Sequence, residues 1–357
     1  MDESRPKKIR VGVFFGGRSS EREVSLTGGR HVYQMLDQSR YEPVAIYWDT
    51  AGSFWEIPET LVIRNTTKEI EERLTTQAVS RISFENLSLR VDIAFLVTHG
   101  KYGDDGCLQG LLELMHLPYT GSGVLAAALG MDKIMSRKLM RQVTGIGLPE
   151  YITINHRQWM ADQSAIVKMV VDFGFPAVIK PAREGSTFGV SVARAKESLP
   201  TALNAAFAFD NNILVERYIK GKEFSCIVIG NDNPEAFIPT ETEHQSEIFT
   251  YEEKYLPGGS NKITPIRVSD QCIAEIQRQA VLTYQVLGFV GYARIDGFVM
   301  QDEQIIITDP NGAASTGMGP SSWTFHQAAA AGFTIPEFLH HLIELGWQAH
   351  RRKKGPL

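Results

Sequence analysis

The sequence predicts a mixed α/β and α+β protein of more than one domain, and three observations lead to this prediction. The chain has 357 residues, too many for one ordinary hydrophobic core, so two or three domains are expected. In the first third, short apolar runs alternate with segments of helical periodicity, which is typical of a parallel sheet with helices on both faces. From about Met131 onward the order is less regular, which favours α+β units.

Predicted strands and helices alternate in the first third of the chain. The buried run IRVGVFF is a strand that ends at Gly16, and a helix follows at about 20–36. Two further apolar runs, PVAIYW and VDIAFLVTH, predict strands, and CLQGLLELMH predicts a helix. The polar stretch at about 51–90 has no clear periodicity and receives no assignment.

The remainder of the chain mixes strands with helices of ordinary length. Helices are expected at about 132–141, 162–172, 198–208 and 269–287, and two more close the chain. Strands are expected at PEYITI, PAVIKPA, VSVARA, ILVERYI, EFSCIVIG, YARIDGFVM and QIIITDP.

Composition excludes several classes of protein. The 36 basic and 41 acidic residues give a formal net charge of -5, so there is no electrostatic reason to bind nucleic acid or an acidic membrane surface. The three cysteines are widely spaced, which indicates free thiols in a reducing compartment. Neither a signal peptide nor an apolar run of about 20 residues is present. A cytoplasmic protein without nucleic-acid or membrane partners is expected.

The segment FPAVIKPAREGSTFGVSVA has the chemistry of a phosphate-binding site. An apolar strand delivers Lys180, and the turn REGSTFG supplies small residues and exposed backbone N–H groups. A lysine beside a flexible loop of this kind offers a point charge and several donors to a triphosphate. The alternative interpretation is a hairpin with a lysine on its edge.

A second constellation, ARIDGFVM followed by IIITDPNG, has the chemistry of a magnesium site. Asp296, Asp309 and Asn311 lie on two strands expected to be neighbours, and hard oxygen ligands suit Mg²⁺. Arg294 shares a strand face with Asp296 and is expected in the same site. The alternative is two strand ends with solvated turn residues.

Two N-terminal motifs are weaker signals. In THGKYGDDGCLQG, His99 follows a strand at the edge where α/β sheets usually bind ligands, although a lone histidine there is more often a structural hydrogen bonder. In GGRSSEREVSL, Glu23 lies near a helix start and could hold a substrate ammonium group. The alternative is a capping box in which Ser20 and Glu23 only cap the helix.

Taken in this order, the segments resemble the D-alanine–D-alanine ligase family of the ATP-grasp superfamily. The matching stretches lie between residues 16 and 299 and are GGRSSEREVSL, HGKYGDDGCLQGLLELMHLPYTGSGVLAAALGMDK, IKPAREGSTFGVSV, LVERYIKGKEF, YEEKYL and RIDGFV. The resemblance implies an ATP-grasp fold with an N-terminal α/β substrate domain (1–132), a central subdomain (133–219) and a C-terminal subdomain (220–357) with a mobile loop near 245–262. ATP would be clamped between the last two.

The resemblance also implies which residues act on the amino acids. Those that would bind the substrates are Glu23, His99, Lys254, Arg294 and Ser322. Those that would take part in catalysis are Glu23, Ser186, Tyr255, Arg294 and Gly317. Tyr255 would close the mobile loop over the site through Ser186 and Glu23, and Arg294 with Gly317 would stabilise the developing oxyanion.

A further set of residues is implied at the nucleotide and the metal. The nucleotide contacts would be Lys133, Lys180, Ser186, Thr187, Glu216, Arg217, Ile219, Glu223 and Lys254. The metal ligands would be Asp296, Asp309 and Asn311. The implied cofactors are ATP and Mg²⁺, with two ions expected and Mn²⁺ as a substitute. The expected partners are small amino acids and, from the family, a second copy of the chain in a homodimer.

The implied activity is ADP-forming carbon–nitrogen ligation of two D-alanine molecules through an acyl phosphate, for peptidoglycan precursors and hence for cell-wall biogenesis and cell shape. One region departs from the family, whose metal segment reads E-x-N-T-x-P-G and then S-x-x-P. Here the segment is DPNGAASTGMGPSSWTF, with aspartate in place of glutamate and an apparent insertion. Two alternatives stay open: a related ligase with a different amino-acid or hydroxy-acid acceptor, and a non-catalytic nucleotide-binding homologue.

Overall fold

The computed structural model describes residues 8–76, 79–243 and 260–353. Within these ranges, three β-sheets follow one another along the sequence, with helices packed on them. Lys254, Tyr255 and almost all of the loop predicted near 245–262 lie outside the described residues. None of the helices in the described ranges is long and apolar enough to cross a membrane.

The first sheet has five strands among the described residues, in the order β4-β3-β2-β1-β5. The strands are β1 (Ile9–Gly16), β2 (Tyr41–Trp48), β3 (Phe54–Glu56), β4 (Ser80–Ile82) and β5 (Ile93–Leu96). The accompanying helices are α1 (Arg22–Met35), α2 (Glu59–Val62), α3 (Thr67–Leu74), α4 (Leu87–Arg90), α5 (Cys107–Leu114) and α6 (Val124–Met131). Only β2, β1 and β5 are parallel, as predicted, because the unassigned stretch adds β3 and β4 as an antiparallel edge.

The second sheet is antiparallel and has four strands among the described residues, in the order β6-β9-β7-β8. Its strands are β6 (Tyr151–Asn155), β7 (Ala177–Pro181), β8 (Ser191–Ala193) and β9 (Asn212–Arg217). Its helices are α7 (Lys133–Met140), which precedes it, α8 (His156–Ala161), α9 (Gln163–Phe173) and α10 (Leu199–Phe207). The last three bury a separate core that includes Trp159 and Val170.

The third sheet follows β13-β12-β10-β14-β15, with β11 beside β10. Its strands are β10 (Lys222–Ile229), β11 (Glu235–Ala236), β12 (Thr240–Glu243), β13 (Asn261–Ile263), β14 (Tyr292–Val299) and β15 (Ile305–Asn311). The helices are α11 (Asp270–Val286), α12 (Trp323–Ala330) and α13 (Ile335–Lys353).

The first and third sheets share one hydrophobic core. Phe15 from β1, Ile227 from β10 and Phe338 from α13 belong to the same buried cluster. The closing helix α13 also contacts α1 and β5. The two sheets are therefore joined through the C-terminal helices, and the second sheet is built around its own core.

Most predicted elements are confirmed within a few residues. The long helix expected at 269–287 is α11, and the strand expected at YARIDGFVM is β14. Besides the elements in the unassigned stretch at about 51–90, helices α6 and α8 and the short strands β11, β12 and β13 had no prediction. Their brevity leaves too little periodicity to recognise.

Candidate active site in a crevice between the three sheets

One crevice is lined by residues from all three parts of the fold. The first part supplies Glu21 and Asp104, the second supplies Lys133, Lys180, Glu184, Gly185, Ser186, Thr187, Glu216, Arg217, Tyr218 and Ile219, and the third supplies Glu223, Ser225, Arg294, Asp296, Thr308, Asp309, Asn311, Ser315 and Trp323. Lys180, Arg294 and Asp296, which are far apart in sequence, therefore open onto the same space. This convergence is the condition that the ligase interpretation requires.

Lys180 and Glu216 form a buried ion pair on one wall of the crevice. They lie diagonally across strands β7 and β9, and Lys180 Nζ is 2.6 Å from Glu216 Oε2. Arg137 Nε donates to Glu216 Oε1 at 2.9 Å. Burial alone would raise the pKa of Glu216, but Arg137 and Lys180 outweigh it and hold that pKa below its ordinary value. Lys180 is thus a buried crevice residue, which excludes the interpretation as an exposed edge lysine.

The turn between β7 and β8 forms a loop over the crevice. Ser186 and Thr187 adopt left-handed backbone angles, with φ of 46° and 67°. Lys133 Nζ donates to the carbonyl of Glu184 at 2.5 Å and so holds the base of the loop. A Cβ on Gly185 would lie 2.6 Å from Glu21 Oε2, so a larger residue there would displace the Glu21 carboxylate.

The opposite wall carries the predicted metal residues. Asp296 pairs with Asp309 across β14 and β15, next to a register shift that follows Asp296. Asp296 accepts from Arg294 Nη2 at 2.8 Å, from Asn311 Nδ2 at 2.8 Å and from Ser225 Oγ at 2.7 Å. Burial raises the pKa of Asp296, although Arg294 and the hydrogen bonds act against this shift.

The donor set fits a hard divalent cation whose coordination is completed by phosphate oxygens. Two carboxylate residues and one amide residue line the crevice, and Mg²⁺ is usually bound by one or two carboxylates together with substrate phosphates. Lys133 Nζ lies 3.7 Å from Asp309 Oδ1, so the lysine predicted to bind phosphate and the aspartate predicted to bind the metal are neighbours. Within the described residues, no cluster of three or more His, Cys, Asp or Glu side chains is arranged to hold a metal without such help.

The altered segment after β15 brings three predicted residues together. Gly317 has a φ of 79°, and a Cβ placed on it would be 3.9 Å from Arg294 Nη1 and 3.8 Å from Ser322 Cβ. Arg294 Nη1 donates to the carbonyl of Thr316 at 2.7 Å. Ser322 is the N-cap of α12, and its Oγ accepts from Phe325 N. The segment therefore encloses the arginine despite its unusual sequence.

The predicted placement of Glu23 in the site is wrong, and Glu21 takes that place. Glu23 accepts from Thr67 Oγ1 at 2.5 Å and from Thr67 N, on the side of α1 that faces α3. Glu21 is buried, lines the crevice and accepts a hydrogen bond from Ser186 Oγ. Because each helical residue turns about 100°, a side chain two positions further points to nearly the opposite face.

The capping-box alternative is also wrong. Helix α1 begins at Arg22, its N-cap is Glu21, and the Glu21 side chain makes no capping hydrogen bond there. Ser20 instead donates to Glu184 Oε2 at 3.4 Å, which links the start of α1 to the covering loop.

His99 is not among the residues that line the crevice. It is buried, and its Nε2 has no hydrogen-bond partner in the described part of the chain. Burial lowers its pKa to about 3, and the charge of Arg294 adds to the effect. The imidazole is therefore neutral at physiological pH, and a role in binding the first amino acid stays a prediction.

Asp104 is a crevice residue that the sequence interpretation missed. It is buried, Ser315 Oγ donates to its Oδ2, and its Oδ1 has no hydrogen-bond partner among the described residues. Burial, together with the neighbouring Glu21 carboxylate, raises its pKa to about 8. The doubled aspartate in GDDG was the available signal, but it did not reveal which carboxylate is buried.

The other predicted nucleotide residues line the crevice as well: Thr187, Arg217, Ile219 and Glu223. Thr187 lies in the loop after β7, Arg217 and Ile219 lie at and just after the end of β9, and Glu223 lies on β10. Their individual contacts with a nucleotide stay predictions.

Family models match both halves of the chain. The model described as D-ala D-ala ligase N-terminus matches residues 10–122, and the one described as D-ala D-ala ligase C-terminus matches residues 139–344.

Individual relatives agree along nearly the whole length. The chain is 32% identical over 361 residues to the D-alanine–D-alanine ligase of Geobacillus thermodenitrificans, covering 97% of this chain and 98% of the relative. The VanG D-Ala:D-Ser ligase structure from Enterococcus faecalis has a TM-score of 0.81 at 28% identity, covering 95% of this chain and all of the other. The D-alanine-D-alanine ligase structure from Coxiella burnetii has a TM-score of 0.83 at 24% identity, covering 98% and 97%, and shows the shared fold.

Proposed function

The chain belongs to the D-alanine–D-alanine ligase family, and from this we propose that it joins two D-alanine molecules with ATP, releasing ADP and phosphate. The observation that carries the proposal is the convergence of Lys180, Arg294 and Asp296 on one crevice. The dipeptide would serve as a peptidoglycan precursor for the cell wall. The family uses ATP and a divalent metal, and we propose Mg²⁺ as the ion, held by Asp296, Asp309 and Asn311, with two ions as the expected number.

The reaction needs activation because a carboxylate does not acylate an amine unaided. In the proposed sequence, the carboxylate of the first D-alanine attacks the γ-phosphorus of ATP, and ADP leaves. The amine of the second D-alanine then attacks the acyl phosphate, loses a proton, and phosphate leaves. When bound, the metal ion would neutralise charge on the phosphate oxygens.

The charges lining the crevice suit both steps. Lys133 and Lys180 would bind phosphates, which is consistent with their burial beside the covering loop. Arg294 and the backbone N–H near Gly317 would stabilise the oxyanion that forms when the amine attacks. Glu21, in place of Glu23, would bind the ammonium group of the first amino acid.

The covering loop suits the need to keep water from an acyl phosphate. Ser186 donates to Glu21, so the loop already reaches from the second sheet to the first. A loop held across the crevice in this way would limit the access of water to the acyl phosphate. Tyr255 and Lys254, which lie outside the described residues, would complete the closure.

A ligase with a different acceptor is a second candidate function. The altered segment favours it, because Asp309 is shorter than glutamate and Trp323 places a large ring in the crevice near Arg294, 5.4 Å from its guanidinium carbon to the ring centroid. Trp323 directly follows Ser322, where the second substrate's carboxylate would bind.

Product identification tests both candidates. The protein is incubated with ATP, Mg²⁺ and a panel of D- and L-amino acids and D-lactate, and phosphate release and product mass are measured. D-Alanine alone is expected to give D-alanyl-D-alanine. Turnover only with another acceptor would establish the second candidate, and ATP binding without ADP formation under any condition would indicate a non-catalytic homologue.

We also propose a homodimer, as the family resemblance implies, and a cytoplasmic location where ATP and amino acids are available. Light scattering coupled to size-exclusion chromatography measures the first. A mass near that of one 39.8 kDa chain would contradict it.

A further inference from the structure

Arg137 is a completely buried arginine that has no part in the roles described so far. It is 0% exposed and lies on α7, four residues after Lys133 and therefore on the same helix face. A buried charge is unfavourable unless it is paired and hydrogen-bonded. Its partners therefore indicate why it is there.

The guanidinium contacts two walls of the crevice at once. Its Nε donates to Glu216 Oε1 at 2.9 Å, and the other oxygen of Glu216 holds Lys180 at 2.6 Å. Its Nη2 donates to the carbonyl of Thr308, the residue immediately before Asp309 on β15. One side chain thus joins α7, a strand of the second sheet and a strand of the third.

We propose that Arg137 is a positioning residue that holds the phosphate-binding lysine and the metal-binding strand in register. It acts through Glu216 on Lys180 and through the Thr308 carbonyl on Asp309, and it is not among the residues that line the crevice. The inference rests on the proposed function only for the identity of the ligand, a nucleotide phosphate with a divalent cation.

The fork geometry explains why arginine suits this place. Its nitrogens point in fixed directions and can serve two acceptors on different elements, whereas a lysine offers one point charge. Without Arg137, Glu216 would be neutralised by Lys180 alone, which draws that lysine away from a phosphate. The Thr308 carbonyl would also lose its donor.

The test measures nucleotide binding by isothermal calorimetry, without amino acids, using a non-hydrolysable ATP analogue with and without Mg²⁺. This readout does not depend on the acceptor, so a wrong substrate assignment leaves it intact. Arg137→Met is expected to raise the analogue's Kd by about tenfold, equivalent to loss of one charge-assisted contact. The matched control is Arg141→Met, at the C-cap of the same helix. The exposed guanidinium of Arg141 lies over the Tyr151 ring, 4.5 Å from its centroid, and the substitution should shift Kd by less than about twofold.

Arg137→Lys separates the two contacts and covers the case in which Arg137→Met does not fold. Arg137→Lys should keep the ion pair with Glu216, so the analogue's Kd without Mg²⁺ should stay within about twofold of wild type. It should lose the contact with the Thr308 carbonyl, so the factor by which Mg²⁺ tightens binding should fall about fivefold. If Arg137 had only a structural role, its substitution would lower the melting temperature and the fraction of active protein, and the Kd of the folded molecules would not change. Wild-type Kd and Mg²⁺ enhancement in folded Arg137→Lys, or in folded Arg137→Met, would overturn the proposal.

Discussion

The two walls of the crevice are built differently. The nucleotide wall, comprising Lys180, Glu216 and the covering loop 183–189, rests on paired antiparallel strands whose register determines which side chains meet. The acceptor wall, comprising residues 309–323, leaves strand β15 and continues through a short 3₁₀ turn, Ala313–Ser315, into the start of α12. Regular strands place residues by their sequence spacing, whereas the acceptor wall is shaped by individual contacts such as that between Ser315 and Asp104.

The largest expected effect concerns Arg294, which lies on β14 and contacts the acceptor wall through Thr316. Arg294→Ala should lower kcat by about 10²–10³-fold, as loss of an oxyanion donor typically does. Steady-state kinetics with ATP and D-alanine measure this effect. Because Asp296 would lose its arginine partner, circular dichroism must first show that the variant is folded, and Arg294→Lys serves as the charge-conserving control. Wild-type kcat in a folded Arg294→Ala protein would remove the arginine from the mechanism.

On the nucleotide wall, Lys180→Met should reduce kcat/KM for ATP by about 10–100-fold, the value of a hydrogen bond to a charged group. KM for D-alanine should change little, since Lys180 pairs with Glu216 on the opposite wall from Arg294. A change in KM for D-alanine without a change in kcat/KM for ATP would show that the two walls have been assigned to the wrong ligands.

A pair of glutamates tests the corrected assignment in the first domain. Glu21→Gln should raise KM for D-alanine about tenfold by weakening the contact with the substrate ammonium. Glu23→Gln is the matched control two residues away, and it should leave KM unchanged because Glu23 contacts Thr67 outside the crevice. The reverse pattern in the KM values would restore the original assignment of Glu23.

The pH dependence of stability tests the burial of Asp104. Its pKa is raised from 3.8 to about 8, so folding favours the protonated carboxyl, and the stabilisation present at low pH is lost as pH rises through that window. Asp104→Asn does not titrate. The difference between the free energy of unfolding of Asp104→Asn and that of wild type, measured by urea denaturation, should therefore shift in favour of the variant by about 1 kcal/mol or more between pH 5 and pH 8. A constant difference between the two proteins would mean that Asp104 is ionised throughout.

The smallest expected effect concerns the metal strand. Asp309→Glu restores the residue type usual in the family. The longer side chain should retain Mg²⁺ affinity or improve it by up to about twofold. Activity titrated against Mg²⁺ measures this. Abolished activity with intact folding would show that the backbone of the acceptor wall is fitted to aspartate.

The fold and the strand-borne part of the site could be predicted from sequence because periodicity and spacing carry that information. Periodicity predicts the strands that carry Lys180, Arg294 and Asp296, whereas the single crevice onto which they open was implied by the family resemblance. Glu21 and Glu23 could not be distinguished, since a difference of two residues at a helix start reverses the direction of a side chain.

Like the direction of a side chain at a helix start, the burial of individual charged residues could not be predicted from the sequence. Asp104 and Arg137 are charged residues in ordinary-looking segments, and their importance depends on elements that meet only in the folded protein. Domain boundaries and the roles of individual nucleotide contacts stay predictions for the same reason.

The shared core of the first and third sheets has a consequence for synthesis on the ribosome. Strand β1 is made first, yet one of its faces is covered by Phe338 and its neighbours near the end of the chain. The first sheet must therefore wait, with apolar surface uncovered, until almost all of the polypeptide has emerged, while the second sheet can bury its separate core much earlier. A nascent chain stalled before residue 335 would consequently contain a folded second sheet and an incompletely packed first sheet.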